Sequence, residues 1–523
     1  MLFSYRVLIY SYFIMRRVCT AALAIILLVV FLISCSKDSA ADSAIAETSP
    51  SSVRMAVAVD PDGLDPQMSA SASTFQVTSS IYETLVTVDE NGNIVPCLAE
   101  SWIMADDGLS MTFTLRKDAM FSDGEACDAD AVAASFMRLI SPSSARSQDY
   151  SFISSVEVID ESTIRFIFSR LDVTALARFA YPWSAIVDTA HADSLRTKPV
   201  GSGPYMLSSW TPQQRLILEK NPHYTGKCSI DRIEFVIMSD MTSAVTAMKN
   251  GLLDIILITG DLAGLFEGDD DFTIHALPTN GLQLMAMNNK SKGLDDIRVR
   301  MAINHAVDKK ALIDAVWWGY GEPIGSHFPV VLSEYIDMNG RYPYDPDKAR
   351  ELLAEAGYGE GELQLRMFLP KNYQEYVNAG QVIADMLRNV GIDVDIQIVE
   401  WATWLSDIYN GRDYDLTVVG HTGRLDSYSL LSRYRSDASE NYFNYADDEI
   451  DNLFDEYIVE LDADKRTEIA HRMEEILAED VPALYIQDPI QIYVTDSSLD
   501  GFRTYPINIF RMDLLEYKQE SKL

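Results

Sequence analysis

At 523 residues the chain is longer than a single hydrophobic core supports, so two or three compact lobes are expected. With 48% apolar and 23% charged residues, its composition is that of an ordinary globular protein, apart from the amino end. A formal net charge of -36 argues against nucleic acid or an anionic membrane surface as partner, because both would repel it. That charge suits solvation of the surface, or a ligand that carries an amine.

Met15-Arg16-Arg17 precedes an apolar run from Ala21 to Ile33, which ends at Ser34-Cys35 and gives way to Ser, Ala, Asp and Thr through Ser52. This is the order of a secretory signal, and the run is too short to span a bilayer. Leu32-Ile33-Ser34-Cys35 resembles a bacterial lipobox, which implies a lipoprotein-type signal over residues 1–34, with Met15 as an alternative start, and a lipid on Cys35. Residues 35–52 then read as lipidated Cys and flexible tether, small and polar without apolar period. Cys97, Cys127 and Cys228 form an odd set without metal-like spacing, which allows one disulfide but fixes no pair.

Met55 to Val59 reads as the first strand, Asp60 to Pro66 as a turn-rich loop, and Gln76 to Leu85 as a helix through Val77, Ile81 and Leu85. Met111, Phe113 and Leu115 alternate as a half-buried strand, Asp123-Gly124 makes a turn, and Asp128 or Asp130 caps a helix carrying Val132, Phe136 and Leu139. Further on, Leu363, Leu365, Met367 and Leu369 alternate as a strand. A helix follows with Ala379, Val382, Ile383, Met386, Leu387 and Val390 on one face, then Gly391 and a second strand at Ile392, Val394, Ile396 and Ile398. Trp401, Trp404, Leu405 and Ile408 recur at helical spacing, Asn410-Gly411 turns the chain, and Asp415 to Val419 is a buried strand run stopping at Gly420. Such a βαβαβ unit makes the strands parallel and puts His421 to Asp426 at a strand's carboxyl end, where open α/β sheets hold ligands. Val481 to Tyr485 and Ile490 to Val494 read as returning strands.

Several blocks occur in a fixed order. They are Leu98 to Leu139, Pro199-Val-Gly-Ser-Gly-Pro-Tyr205 with Trp210 and Glu219 to Tyr224, Asn250-Gly-Leu-Leu-Asp254, Asp296 to Asp308, and Tyr344 to Gly357. Together they resemble the family-5 extracellular solute-binding proteins, the peptide-, dipeptide- and nickel-binding lipoproteins of ABC importers. The resemblance implies an α/β two-lobe periplasmic-binding-protein fold, type II with an extra inserted domain, in which mixed β-sheets are flanked by helices. It divides the chain into lobe I at 53–85, 198–280 and 489–523, an inserted domain at 86–197, and lobe II at 281–488.

By resemblance, Asp426 is the partner of a ligand's α-ammonium, although Asp in a Gly-containing loop is commonly an Asx turn. His421 stands where relatives often have Trp. Arg424 either pairs with Asp426 or reaches a ligand carboxylate, so plain peptide specificity is in question. Trp401 matches a cleft position while Trp404 reads as core. Lys371 is a candidate for a ligand carboxylate, with a surface role the rival, and Ser73, Thr74 and Phe75 match the part of lobe I that faces peptide backbone.

Neither HExxH, Walker loop, Rossmann fingerprint nor GxSxG occurs, and the seven His form no close metal pair, so no enzyme, cofactor or metal site is expected. The expected function is that of a monomeric substrate-binding lipoprotein of the bacterial cell envelope, in the periplasm or at the cell surface. It would capture di- or oligopeptides between its lobes and deliver them to ABC permease subunits. Alternatives are the same fold holding a metal chelate, opine or sugar, and, from other classes, a secreted hydrolase or a surface antigen.

Overall fold

The computed structural model describes residues 51–518, so the signal, Cys35 and nearly all of the tether lie outside the described residues. Among the described residues, one mixed sheet of twelve strands runs through the molecule in two halves. In the first half, Ser52–Val57 lies parallel to Arg232–Ile237 and to Ile255–Ile258, and Tyr205–Thr211 and Arg215–Lys220 continue it antiparallel. In the second half, Leu363–Pro370 lies parallel to both Ile392–Val399 and Leu416–Thr422, and Gly281–Met287 runs antiparallel to the latter.

Two segments join the halves. Ala483–Asp496 is a single strand rather than the two expected from the sequence. Its start pairs with Gln283 to Ala286 and its end with Phe272–Pro278 and Ile255–Ile258. The other crossing is Pro278-Thr279-Asn280-Gly281, fastened to the first where Thr279 N donates to Pro489 O at 3.1 Å.

Residues 99–168 build a separate antiparallel sheet of Ala99–Met104, Ser110–Leu115, Thr163–Phe168 and Ile153–Asp160. It covers the helix Ala129–Leu139, which Asp128 caps by accepting from Ala131 N at 3.0 Å. Phe136 of that helix meets Phe166 and Phe179 at centroid distances of 4.7 and 5.4 Å, giving this sheet an aromatic core of its own.

The βαβαβ unit forms as its periodicity dictates, with the helix Gln374–Arg388 burying Val377, Ile383 and Leu387 against the strands. Ile398 is 49% exposed because Ile392–Val399 is the edge of the sheet. Two further readings are corrected. The helix expected at Gln76 to Leu85 lies at Ala72–Thr78. Beyond it the carbonyls of Ser80, Ile81, Thr84 and Leu85 accept from Tyr205, Gly203, Leu98 and Ala99, and so serve neighbouring segments instead of a helix. The strand expected to stop at Gly420 runs on to Thr422, because Gly420, His421 and Thr422 pair with Gln283, Leu282 and Gly281. Cys97, Cys127 and Cys228 are free thiols. No helix of the described residues is long and apolar enough to cross a membrane.

Candidate functional site

The loop after Leu416–Thr422 is held by the crossing segment. Gly423 N donates to Asn280 O at 2.5 Å, and Asn280 Nδ2 donates to Arg424 O at 2.8 Å. A Cβ on Gly423 would lie 2.0 Å from Asn280 Oδ1 and 2.1 Å from its carbonyl oxygen, so only glycine lets the loop come this close. Next along, Leu425 N donates to Tyr181 Oη at 3.0 Å, and its side chain packs on the core of the antiparallel sheet. Asp426 begins the short helix Ser427–Leu431, where its Oδ1 accepts from Ser429 N at 2.7 Å. Its Oδ2 is enclosed without a hydrogen-bond partner, and burial pushes the carboxyl up to about 6.

Above this loop lies a cavity of about 810 Å³, continuous through Trp401, Gly420, His421, Thr422 and Asn508 with a second of about 370 Å³ beside the crossing segments. Its walls are aromatic. Trp401 stacks on Trp404 at 4.8 Å with planes 5° apart, and Tyr181 stacks on Trp183 at 4.5 Å and 6°. Its floor includes backbone. The ladder between Leu363–Pro370 and Leu416–Thr422 covers only Leu416 and Thr417, so Val418 to Thr422 have no strand partner on that side among the described residues.

His421 faces the cavity and also starts a buried chain. Its Nε2 shares a hydrogen bond with Tyr442 Oη at 2.8 Å and its Nδ1 lies 3.4 Å from His327 Nε2. His327 Nδ1 shares one with Tyr434 Oη at 2.7 Å. Burial, followed for His421 by the charges of Arg433, His327 and Arg424, holds both imidazoles well below the usual histidine range, so both are neutral. This chain accounts for the polar ring atoms of both histidines without a metal.

The residues singled out in the sequence are thus only partly brought together. Trp401, His421, Arg424 and Phe75 line the cavity, whereas Asp426 lies behind its wall, with Ser429 of the helix it caps at the surface of the cavity. Trp404 is 2% exposed, as expected of core, yet one face reaches the same cavity while its Nε1 donates to Thr417 Oγ1 at 2.9 Å. Leu405, grouped with it as framework, is 36% exposed because the chain from Trp404 to Asn410 winds as a π-helix. Arg424 makes no ion pair with Asp426 or any other carboxylate of the described residues, its guanidinium touching only Gly423 O at 3.4 Å. Lys371 is exposed and bound to Glu400 at 2.6 Å. Thr74 is buried, donating to Asp62 Oδ1 at 2.6 Å, and Ser73 opens on a side groove with Met241 and Tyr493. Sequence reasoning missed Arg146, Arg178, Tyr181, Trp183, Tyr409, Arg433 and Asn508, all of which line the cavity. Only Tyr181-Pro182-Trp183, an aromatic pair around a proline, offered a local hint.

Among the described residues, one group of three possible metal ligands occurs, Asp123, Asp188 and His191, near the surface. His191 Nε2 lies 3.1 Å from Asp123 Oδ2 and 3.5 Å from Asp188 Oδ2, an arrangement that ordinary ion pairing explains.

Residues 93–442 match the model of bacterial extracellular solute-binding proteins, family 5. The chain is 28% identical to heme-binding protein A of Haemophilus influenzae over 91% of its own length and 95% of that protein's. It is 26% identical to the dipeptide-binding protein of Escherichia coli, over 86% and 91%. The fold is that of the periplasmic binding protein DppA from Helicobacter pylori in complex with peptide STSA, with TM-score 0.74, 24% identity, and 90% and 98% of the two chains covered.

Proposed function

Because the chain belongs to the bacterial extracellular solute-binding proteins of family 5, we propose that its cavity captures a peptide and that the closed protein hands it to an ABC permease. Backbone of Val419 to Thr422 in an aromatic-walled cavity, without a strand partner on one side and with Gly420 held there by Tyr376, carries this reading. An extended peptide satisfies such an edge with its own backbone, which gives affinity largely independent of side chains, while the Trp and Tyr faces accept those side chains. Asp426 Oδ2 takes the α-ammonium and Trp401 stacks on the chain. Relatives with dipeptide in their name and a neighbour holding a peptide support the class of ligand.

In this reading lobe I, the inserted domain and lobe II, divided near residues 86, 198, 281 and 489, move about the two crossings. Peptide contacts all three only when they are closed, so binding shifts the population toward the form the permease accepts. Cys35 carries the lipid that keeps the protein at the membrane, and the protein works as a monomer without catalysis. A second reading, an anionic chelate or opine, is favoured by the unpaired Arg424.

Native mass spectrometry of the purified full-length protein, followed by melting shifts over a peptide and small-molecule panel, tests this. A co-purified peptide mass and peptide-dependent stabilisation are expected. Stabilisation by chelates, opines or sugars but by no peptide would overturn it.

A further inference from the structure

The cavity's charge is opposite to that of the protein. In a chain of net charge -36, Arg146, Arg178, Arg424 and Arg433 line it, against Asp149 and Glu440. Two of these arginines are compensated. Arg178 lies 3.6 Å from buried Asp172, and Arg146 lies 3.7 Å from Asp149 while its guanidinium covers the Trp183 ring at 4.4 Å. The other two are not. Arg424 and Arg433 have no carboxylate in ion-pair contact among the described residues, and Arg433 Nε is a buried donor without any partner. A desolvated guanidinium without a carboxylate costs free energy, and Arg424 and Arg433, which line the cavity, are the arginines there left to pair with an anion that enters it.

The arginines also come from different parts of the chain, Arg146 beside the antiparallel sheet and Arg424 and Arg433 from the segment after Leu416–Thr422. Like charges sharing one cavity repel, as the charge of Arg424 does on Arg146, and oxyanions placed among them turn that repulsion into attraction.

We propose, on the peptide reading above, that the cavity selects peptides with at least two carboxylates, one terminal and one on an acidic side chain, held by Arg424 and Arg433 with Arg146 opposite. One terminal carboxylate satisfies a single guanidinium and leaves the second unpaired, so a second oxyanion is required to complete the site.

Calorimetry on the purified full-length protein tests this with the tripeptides Ala-Ala-Ala, Ala-Gln-Ala and Ala-Glu-Ala, with Ala-phosphoSer-Ala as the phosphate counterpart and tricarballylate as a non-peptide polycarboxylate. Ala-Glu-Ala should bind at least tenfold more tightly than Ala-Gln-Ala. That ratio should collapse toward one in Arg433→Gln and in Arg424→Gln and be largely kept in Arg433→Lys, with a melting curve showing that each variant is folded. Tighter binding of the phosphopeptide than of Ala-Glu-Ala overturns the carboxylate assignment. Equal binding of the Gln and Glu peptides, or a ratio unchanged in both Gln variants, overturns the proposal and leaves the peptide reading standing. Arginine-dependent binding of tricarballylate with no peptide bound overturns the peptide reading and keeps the anionic site. Binding of none of these probes overturns both.

Discussion

Replacing Asp426 by Asn separates two roles that alanine would remove together. Oδ1 caps the helix through Ser429 N at 2.7 Å, and Asn keeps an oxygen there, whereas Ala would also lose a cap worth about 1 kcal/mol. Oδ2 is enclosed without a hydrogen-bond partner, so in the empty protein a negative charge there is only partly offset, by the nearby Arg178 and by Ser429. Burial raises the carboxyl to about 6, against about 3.9 for an unfolded Asp. The folded state therefore holds the proton more tightly than the unfolded one, and stability falls as pH rises from about 4 to about 6, by about 3 kcal/mol in all. Asp426→Asn, which cannot ionise, should match the native protein near pH 4 and melt higher near pH 7.5.

An ammonium on Oδ2 reverses the preference, because a charge-assisted bond of about 1.5–3 kcal/mol favours the ionised form, or about ten- to a hundredfold in affinity. Peptide binding should weaken below about pH 6, and binding near that pH should release a fraction of a proton. Titration calorimetry in two buffers of different ionisation enthalpy reads that proton directly. Asp426→Asn should lose the affinity and the proton release together while melting no lower than the native protein. Native-like affinity for a peptide with a free amino terminus, with unchanged proton release, would refute the anchor.

Three further outcomes are expected. Asp488 is fully buried in the long crossing strand, accepts from Val330 N at 3.0 Å, and is pushed up to about 8 by burial. Its folded pKa again exceeds the unfolded one, so stability declines between about pH 4 and pH 8. The native melting temperature should drop from about pH 5 to pH 8, and Asp488→Asn should reduce that drop, the rest belonging to Glu474, which burial also pushes up to about 8; parallel curves count against the assignment. Gly423→Ala forces the loop off Asn280 and should lower stability by about 1–3 kcal/mol by denaturant unfolding, with weaker ligand binding. Trp404→Ala should cost about 3–5 kcal/mol of stability, whereas Trp401→Ala, less enclosed, should spare stability and lower affinity; the reverse order would show the two roles to be exchanged.

What could be read in advance follows the reach of each physical signal. Periodicity within one element is local, so the strand at Leu363–Pro370, its helix and the capped helix at Ala129–Leu139 were legible residue by residue. The end of Leu416–Thr422 was not, because glycine reads as a stop unless its partner strand is known, and Gly281 to Gln283 lie more than a hundred residues earlier. The Asp426 loop was expected at the strand's carboxyl end from position and family pattern, and the structure shows Asp426 in the alternative role, a helix cap. Arg146 and Arg433 gave no signal at all. Each sits in a polar stretch where an arginine is unremarkable, and only the tertiary fold sets them on one cavity. Lys371 is exposed, as its surface reading has it, but nothing in its own stretch shows that Glu400, at the end of the next strand, takes its charge.

The loop that lines the cavity and the segment that joins the two halves of the sheet are one mechanical unit. Asn280 lies in the crossing and makes two backbone-directed bonds to Gly423 and Arg424, and Gly423 admits no side chain that could loosen them. Any rotation about Pro278 to Gly281 would therefore carry Arg424 with it and would bear on the bond from Leu425 N to Tyr181 Oη. A ligand that fixes Arg424 from within the cavity then biases the crossing itself, through two bonds rather than through a long path. Such a bias is no larger than the ligand's preference for one arrangement over the other. On the selectivity proposed above, the two guanidiniums without a carboxylate would supply that preference, since two oxyanions of one ligand reach both only where the cavity has closed around it.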